Sequence, residues 1–159
     1  MGNDAGLPPA SAATAGDEIS VRTLSRCLLI LRLSIAGFML QWAIGRFLAP
    51  DQSNEAIRFF FHVKLEPGFS PMLGSVQLVV IAFFVAGFRR WVSYGVVLLM
   101  NAAAVVATWD YIIDPYGSFD HRLFWNGVPV VAACFVLFSL RRYDTIWSLD
   151  RLLERLPGL

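Results

Sequence analysis

Four long apolar runs dominate the chain, and shorter stretches rich in polar residues, proline and glycine separate them. These runs predict α-helices at about 27–48, 72–88, 91–109 and 123–140. Each run is close to the ~20 residues that a helix needs to cross ~30 Å of hydrocarbon. Only Arg89 and Arg90 join the second run to the third, so the chain has to return through the membrane at once. The pattern therefore predicts an all-α integral membrane four-helix bundle.

The arginines give this bundle a direction, because short loops rich in Lys and Arg stay on the cytoplasmic side. One end of the predicted bundle carries most of them: Arg22, Arg26, Arg89, Arg90, Arg141, Arg142, Arg151 and Arg155. The other end carries a smaller basic set: Arg46, Arg58, Lys64 and Arg122. We therefore expect both termini to be cytoplasmic, in a multi-pass protein of the bacterial cytoplasmic membrane.

The segments outside the four spans are of three kinds. Residues 1–21 are rich in Ala, Gly, Pro and Ser, which predicts a disordered tail ahead of the transmembrane domain at 22–142. Residues 54–65 mix aromatic and basic side chains, which predicts a helix lying on the headgroup boundary. Residues 143–159 carry leucines at near-helical spacing, which predicts a short amphipathic helix along the cytoplasmic surface.

The composition supports lipid as the solvent and excludes several classes of function. Hydrophobic residues make up 57% of the chain and charged residues 16%, whereas soluble domains carry nearer a quarter charged residues. A net charge of +1 excludes a broad electrostatic surface for nucleic acid. The chain lacks a Gly-rich phosphate loop, GxSxG and HExxH, which argues against a stand-alone enzyme. His62 has no second His or Cys near it in sequence, so no metal site is expected.

Arg32 is the strongest single candidate for a functional residue. It lies within the first helix, roughly 9 Å beyond Arg26 at helical rise. An arginine at the centre of a membrane helix costs ~2.5–3.5 kcal/mol on insertion scales. Either its side chain extends to the near headgroups, or it is a buried cation paired with a headgroup, a quinone carbonyl or a partner's carboxylate.

Arg46 stands fourteen residues after Arg32, so at ~100° per residue both lie on nearly the same side of the first helix. A small and polar stripe occupies roughly the opposite side: Ser34, Gly37, Gln41 and Gly45. Such stripes allow helix backbones to approach closely in lipid. We expect Arg46 to pair with one of three loop carboxylates: Asp110, Asp114 or Asp120.

Three neutral polar residues within the predicted helices are further candidates: Gln41, Gln77 and Asn101. Gln41 and Gln77 are expected at similar depth, counting ~1.5 Å per residue from the helix ends. Each of the three side chains forms an interhelical hydrogen bond, worth ~0.6 kcal/mol on average, or lines a polar ligand cavity.

Several short motifs, in this order, resemble those of the DoxX-like family. The first helix of that family opens with an arginine and closes on a glycine and a basic residue, as do Leu31-Arg32-Leu33 and Gly45-Arg46-Phe47-Leu48. Two further stretches are similar to the family's second helix: Leu73-Gly74-Ser75-Val76-Gln77 and Ala86-Gly87-Phe88-Arg89-Arg90. The family's C-terminal end resembles Ser148-Leu149-Asp150-Arg151-Leu152-Leu153. Gln77 stands where the family commonly has a glutamate, which weakens a proton-transfer role at that position.

The resemblance implies a four-helix membrane protein that is a subunit or accessory of a membrane-bound redox system, linked to quinone or to thiol and sulfur chemistry. It implies a membrane or peripheral redox protein as partner, or self-association, and a membrane quinone as the ligand, with no covalently bound cofactor. Any enzymatic activity would be that of an oxidoreductase complex. The alternatives are a non-catalytic scaffold or assembly factor and, with less support, a small-solute transporter.

Overall fold

The computed structural model describes residues 20–149, apart from residues 65 and 67. Within that part the chain forms helices without β-strands. The helices are α1 Val21–Leu48, α2 Pro50–Phe61, α3 Phe69–Ala86, α4 Arg90–Ala107, α5 Trp109–Ile113, α6 Phe119–Phe124 and α7 Gly127–Ser139. Four stretches are long and apolar enough to cross a membrane: α1, α3, α4 and the continuous span His121–Ser139. The predicted four-helix bundle is confirmed, and the protein is a multi-pass membrane protein.

The four spans pack as a ring in the order α1, α3, α4, α7. The closest pairs are α1 with α3 and α4 with α7; contacts between α3 and α4, and fewer between α1 and α7, close the ring. All four spans contribute buried side chains to the core: Leu28, Ile35, Met39, Ala43, Ile81, Phe84, Tyr94, Val97, Cys134 and Leu137. Many apolar side chains remain exposed on the outside, as expected for helices that face lipid.

A tight turn joins α3 to α4 at the arginine-rich end of the bundle. Gly87 has φ +60° and Arg89 has φ +42°, both in the left-handed region. The Phe88 amide donates to the Phe83 carbonyl at 3.1 Å, and the Gly87 amide donates to the Phe84 carbonyl at 3.1 Å. A left-handed glycine with these two bonds is a common way to end a helix. For this reason α3 ends at Ala86, two residues before the predicted end.

The first helix begins at Val21, six residues before the predicted start. Hydropathy does not mark this extra stretch, because it is too polar for lipid. Contacts with the segment after α7 hold this stretch in place: the Ser25 hydroxyl donates to the Tyr143 carbonyl and lies 3.0 Å from the Thr145 hydroxyl. The part of α1 before Arg32 therefore projects roughly 16 Å toward the arginine-rich end. The predicted tail at 1–21 lies, except for its last two residues, outside the described part of the chain.

Short helices cover the opposite end of the bundle. The helix expected at 54–65 is α2, which starts earlier, with Pro50 as its first residue; proline suits that position because its missing N–H would be unpaired there. The Tyr111 ring contacts the rings of Phe59, His121 and Phe124 at centroid distances of 5.8, 4.9 and 5.1 Å. This aromatic cluster joins α2, α5 and α6 into one cover.

The chain after α7 differs from the predicted amphipathic helix. Residues 140–148 form turns and irregular chain rather than a helix on the surface. Asp144 and Ser148 are 0% and 7% exposed, so this segment enters the arginine-rich end of the bundle. The rest of the predicted amphipathic helix, residues 150–159, lies outside the described residues.

Candidate functional site

Arg32 lies at the centre of a buried polar network at the arginine-rich end. Its Nη1 is 3.3 Å from Asp144 Oδ2 and donates to the Tyr94 hydroxyl at 3.0 Å. Its Nη2 donates to the carbonyls of Ile146 and Trp147 at 2.8 and 3.3 Å. The Tyr94 hydroxyl in turn donates to Asp144 Oδ2 at 2.6 Å. Arg32 and Asp144 are both fully buried. We call Arg32, Tyr94 and Asp144 the buried arginine site.

The buried arginine site forms where the turn at the end of α3 packs against α1 and the C-terminal segment. The Arg32 guanidinium reaches the turn at Gly87, where a Cβ would lie only 2.7 Å from Arg32 Nη1 and 3.2 Å from Ser148 Cα. The Ser148 hydroxyl donates to the Gly87 carbonyl at 3.3 Å. A residue without a side chain, in a left-handed conformation, is therefore needed where α1, α3 and the C-terminal segment meet.

The buried arginine site is neutral overall and joins distant parts of the chain. Burying two charges is costly, and an ion pair compensates that cost only when further hydrogen bonds satisfy both partners. Tyr94 and the two carbonyls supply most of these bonds. Arg32 Nε and Asp144 Oδ1 have no hydrogen-bond partner among the described residues. The site holds distant parts of the chain together, because the guanidinium donates its hydrogen bonds to oxygens of the same chain.

The sequence-based alternatives for Arg32 are resolved in part. The side chain does not extend to the surface, since it is 0% exposed. It is a buried cation, and the carboxylate that pairs with it is Asp144 of the same chain. Sequence reasoning missed Asp144 and Tyr94. The available signal was that Asp144 is the first acidic residue after Arg141 and Arg142, at the same end as Arg32.

Arg46 and Gln77 form a second polar contact near the opposite end of the α1–α3 interface. Arg46 Nε donates to Gln77 Oε1 at 3.2 Å, and Gln77 Nε2 donates to the Met39 carbonyl at 3.3 Å. The helices approach closely at Gly74, where a Cβ would lie 2.8 Å from the Phe47 ring. Arg46 Nη1 is buried and has no hydrogen-bond partner among the described residues. We call Arg46 and Gln77 the outer arginine site.

The expected pairing of Arg46 with Asp110 or Asp114 is not what the structure places there. Arg46 is half-buried and turned toward α3, where Gln77 is its partner. Asp110 and Asp114 are exposed, and neither forms an ion pair with Arg46 in the described part of the chain. The side chain of Asp120, the third expected partner, lies outside what the structure describes. The helix face that Arg46 occupies decides the outcome, because that face packs on α3.

Gln41 and Asn101 lie apart from both arginine sites. Gln41 is exposed on the outer face of α1, in an open groove of about 460 Å³ lined by Gly37, Leu40, Gln41, Ile44, Gly45 and Leu48. Asn101 is buried, and its Nδ2 donates to the Val97 carbonyl of its own helix at 2.8 Å and lies 3.7 Å from Met39 Sδ. Gln77 thus forms the expected interhelical hydrogen bonds, and Asn101 forms one to Met39 Sδ of α1 beside a shorter one within its own helix.

Comparison with known proteins gives no further assignment. No family model, no curated protein and no solved structure matches this chain. Within the described residues, no group of three or more His, Cys, Asp or Glu side chains could hold a metal ion. Interpretation of the two arginine sites therefore rests on their own geometry.

Proposed function

We propose that this protein is a DoxX-like integral membrane subunit or accessory of a membrane-bound redox system, linked to quinone or to thiol and sulfur chemistry. The observation that supports this proposal is the placement of the motifs behind the resemblance. Motifs far apart in sequence meet at two places along the α1–α3 pair.

The first meeting place is the buried arginine site. Arg32 of the first motif reaches Gly87 of the glycine–arginine turn, and Ser148 of the C-terminal motif donates to the Gly87 carbonyl. Three motifs that span most of the chain therefore share one contact. Their function in the proposed subunit is to hold the bundle and its C-terminal segment together.

The second meeting place is the outer arginine site, where Arg46 of the second motif contacts Gly74 and Gln77 of the third. A buried donor without a partner is unfavourable by about 1–3 kcal/mol. A carbonyl oxygen of a membrane quinone would satisfy Arg46 Nη1 without any covalent bond. We propose this side chain, rather than Arg32, as the contact for a quinone within the complex.

The proposed orientation places the arginine-rich end in the cytoplasm and the aromatic cover outside, in the cytoplasmic membrane of a bacterium. It follows from the positive-inside rule. Reporter fusions at residue 89 and after residue 142 should show a cytoplasmic location, and fusions near Glu55 and Gly117 an outer location. Reporters at 89 and 142 on opposite sides of the membrane would contradict it.

The redox proposal is tested in membranes of a host strain that lacks the gene. Quinone reduction driven by thiosulfate or a thiol is measured with wild-type protein, with Arg46→Lys and with the exposed control Arg58→Lys. We expect wild type and the control to restore activity and to co-purify with a redox protein. Because lysine lacks the planar fork of donors, Arg46→Lys should lower activity about tenfold or more. Equal activity in strains with and without the gene would overturn the proposal.

A non-catalytic scaffold or assembly factor is the second candidate. The buried arginine site favours it, because those donors bind the chain's own carbonyls and carboxylate. In the same experiment a scaffold would retain partner co-purification in Arg46→Lys and show unchanged quinone reduction.

A further inference from the structure

The outer face of α1 carries a groove that takes no part in either arginine site. Its volume is about 460 Å³. We call it the α1 groove, and two rows of residues with a spacing of four line it: Gly37, Gln41 and Gly45 in one row, and Leu40, Ile44 and Leu48 in the other. The second row is apolar, as expected for a surface in lipid. The first row combines an amide with a glycine one turn before it and one turn after it.

The two glycines of the α1 groove face away from the bundle. A Cβ at Gly37 or Gly45 would meet nothing within 4 Å, whereas a Cβ at Gly74 would lie 2.8 Å from the Phe47 ring. Packing within the chain therefore explains Gly74 but not the other two. Glycine destabilises a helix interior, and in lipid it allows the backbone of another helix to approach closely. Gly37 and Gly45 thus fit an approach from outside the chain.

The Gln41 amide lies near the middle of the span. Arg32 contacts the turn at Gly87 at one end of the bundle, and α1 ends at Leu48 at the other. At ~1.5 Å per residue, Gln41 is roughly 14 Å from Arg32 and roughly 10 Å from Leu48. Its side chain is too short to reach the headgroups on either side. Gln41 is exposed and forms no hydrogen bond with any residue that the structure describes.

Two other exposed polar side chains in the spans have partners within their own helices. The Ser34 hydroxyl donates to the Ile30 carbonyl at 2.9 Å, and the Ser75 hydroxyl donates to the Pro71 carbonyl at 3.0 Å. Hydrocarbon offers neither donors nor acceptors. The Gln41 amide therefore requires a partner from outside the chain that both donates and accepts hydrogen bonds at the same depth.

We propose that the α1 groove is the interface of a homodimer, in which the Gln41 amides of two copies bond to each other. Two copies inserted in the same orientation are related by a two-fold axis along the membrane normal, so each residue of α1 meets its own level in the other copy. An amide has both donors and an acceptor, so Nε2 of each copy donates to Oε1 of the other. A second copy therefore supplies the required partner at the required depth. The dimer does not depend on the redox proposal.

The first test measures association of the full chain in liposomes of dioleoyl-phosphatidylcholine. Copies fused to donor and acceptor fluorescent proteins are mixed over a series of protein-to-lipid ratios, and energy transfer gives the Kd of the dimer. Wild type is compared with Gln41→Leu, with Gly45→Leu and with the control Ser75→Leu, which places the same side chain on an exposed face of α3. The Tm in detergent confirms that the variants fold.

We expect wild type and Ser75→Leu to form dimers of similar affinity, and Gln41→Leu to raise the Kd about eightfold. That change corresponds to two interhelical hydrogen bonds at ~0.6 kcal/mol each. Gly45→Leu should abolish energy transfer, because its side chain fills the α1 groove. A wild-type protein that stays monomeric at every ratio, or a Gln41→Leu protein with the wild-type Kd, would overturn the proposal. A monomer that another membrane protein captures through Gln41 would also overturn it.

The second test checks the symmetry of the interface. In a chain with Cys27→Ala and Cys134→Ala, the substitution Gly45→Cys retains the Gln41 amide and places a thiol one turn away. Bridged cysteines need Cα atoms within ~7 Å, so mild oxidation in liposomes should join two copies of this variant. Ser75→Cys in the same background should stay monomeric. Equal cross-linking of the two variants would overturn the proposal.

Discussion

The two arginines on one face of α1 differ in where their charge is neutralised. Arg32 is fully buried and pairs with Asp144, Tyr94 and two carbonyls of the same chain. Arg46 is half-buried and has a neutral partner, Gln77, with one guanidinium nitrogen left unbonded among the described residues. The charge of Arg32 is balanced within the chain, although Arg32 Nε and Asp144 Oδ1 have no hydrogen-bond partner among the described residues, whereas Arg46 has no carboxylate partner among them.

Under the proposed function, this contrast separates a structural charge from a charge that contacts a ligand. Ionisable residues inside membranes are commonly taken as functional. Arg32 is the more buried of the two, yet its charge is paired with a carboxylate of the chain itself. Arg46 is less buried, and its partner among the described residues is a neutral amide. Partner chemistry is therefore the better guide to a ligand site than burial alone.

The largest expected effect is the loss of either charge at the buried arginine site. Arg32→Leu or Asp144→Leu leaves the other charge buried and unpaired, which should lower the free energy of unfolding by about 3–5 kcal/mol. The double variant removes both charges and should recover most of that loss. Unfolding in detergent, followed by tryptophan fluorescence, measures the difference. Arg26→Leu, an exposed arginine on the same helix, is the control and should change little. A double variant as unstable as the two single losses combined would contradict the ion-pair account.

The next effect in size is expected at the turn between α3 and α4. Gly87→Ala places a Cβ against Arg32 Nη1 in a left-handed backbone, which should lower stability by about 1–3 kcal/mol. Gly37→Ala is the matched control, because a Cβ there meets nothing within 4 Å. The Tm of the two variants in detergent should therefore move in opposite directions or differ by several degrees. Equal Tm values would show that the turn tolerates a side chain and that Arg32 can move aside.

A smaller effect should follow from removing one hydroxyl. Tyr94→Phe deletes a donor to Asp144 and an acceptor for Arg32, and leaving these groups less satisfied should cost about 1–3 kcal/mol, toward the lower end. Tyr143→Phe removes an exposed hydroxyl and serves as the comparison. Thermal unfolding of both variants provides the measurement. A Tyr94→Phe protein as stable as Tyr143→Phe would mean that the ion pair holds without the phenol.

The smallest stability effect is expected at the outer arginine site. Gln77→Leu removes two interhelical hydrogen bonds, each worth ~0.6 kcal/mol on average, and should cost about 1 kcal/mol. Its effect on quinone-linked activity should be much larger under the proposed function, because Arg46 loses the partner that positions it. Tyr143→Phe is again the control, because its hydroxyl is exposed and lies outside both arginine sites. Activity in membranes and Tm are measured side by side. A Gln77→Leu variant with wild-type activity would remove the outer site from the quinone hypothesis.

The sequence predicts the bundle well, because membrane spans are continuous apolar runs that need no tertiary information to recognise. It also places Arg32 and Arg46 on one face of α1 from their spacing alone. Asp144 escapes such reasoning, because its depth depends on an irregular segment that folds back under the bundle. Tyr94 escapes for a related reason: a tyrosine one turn inside a span is typical of the headgroup boundary. The extra polar turns of α1, which the contacts of Ser25 hold in place, fix the position of Arg32 along the bundle axis. A hydropathy profile does not identify these turns as part of the helix.

The buried arginine site also has a consequence for synthesis. Arg32 bonds to a carbonyl 114 residues later in the chain, at Ile146. At ~5–20 residues per second, a ribosome needs roughly 6–20 s to make the intervening chain. Throughout that interval Arg32 is already present and lacks its native counter-charge. A nascent chain that stops before Asp144 keeps that cation uncompensated, so translation to the C-terminal segment is a condition for a stably inserted bundle.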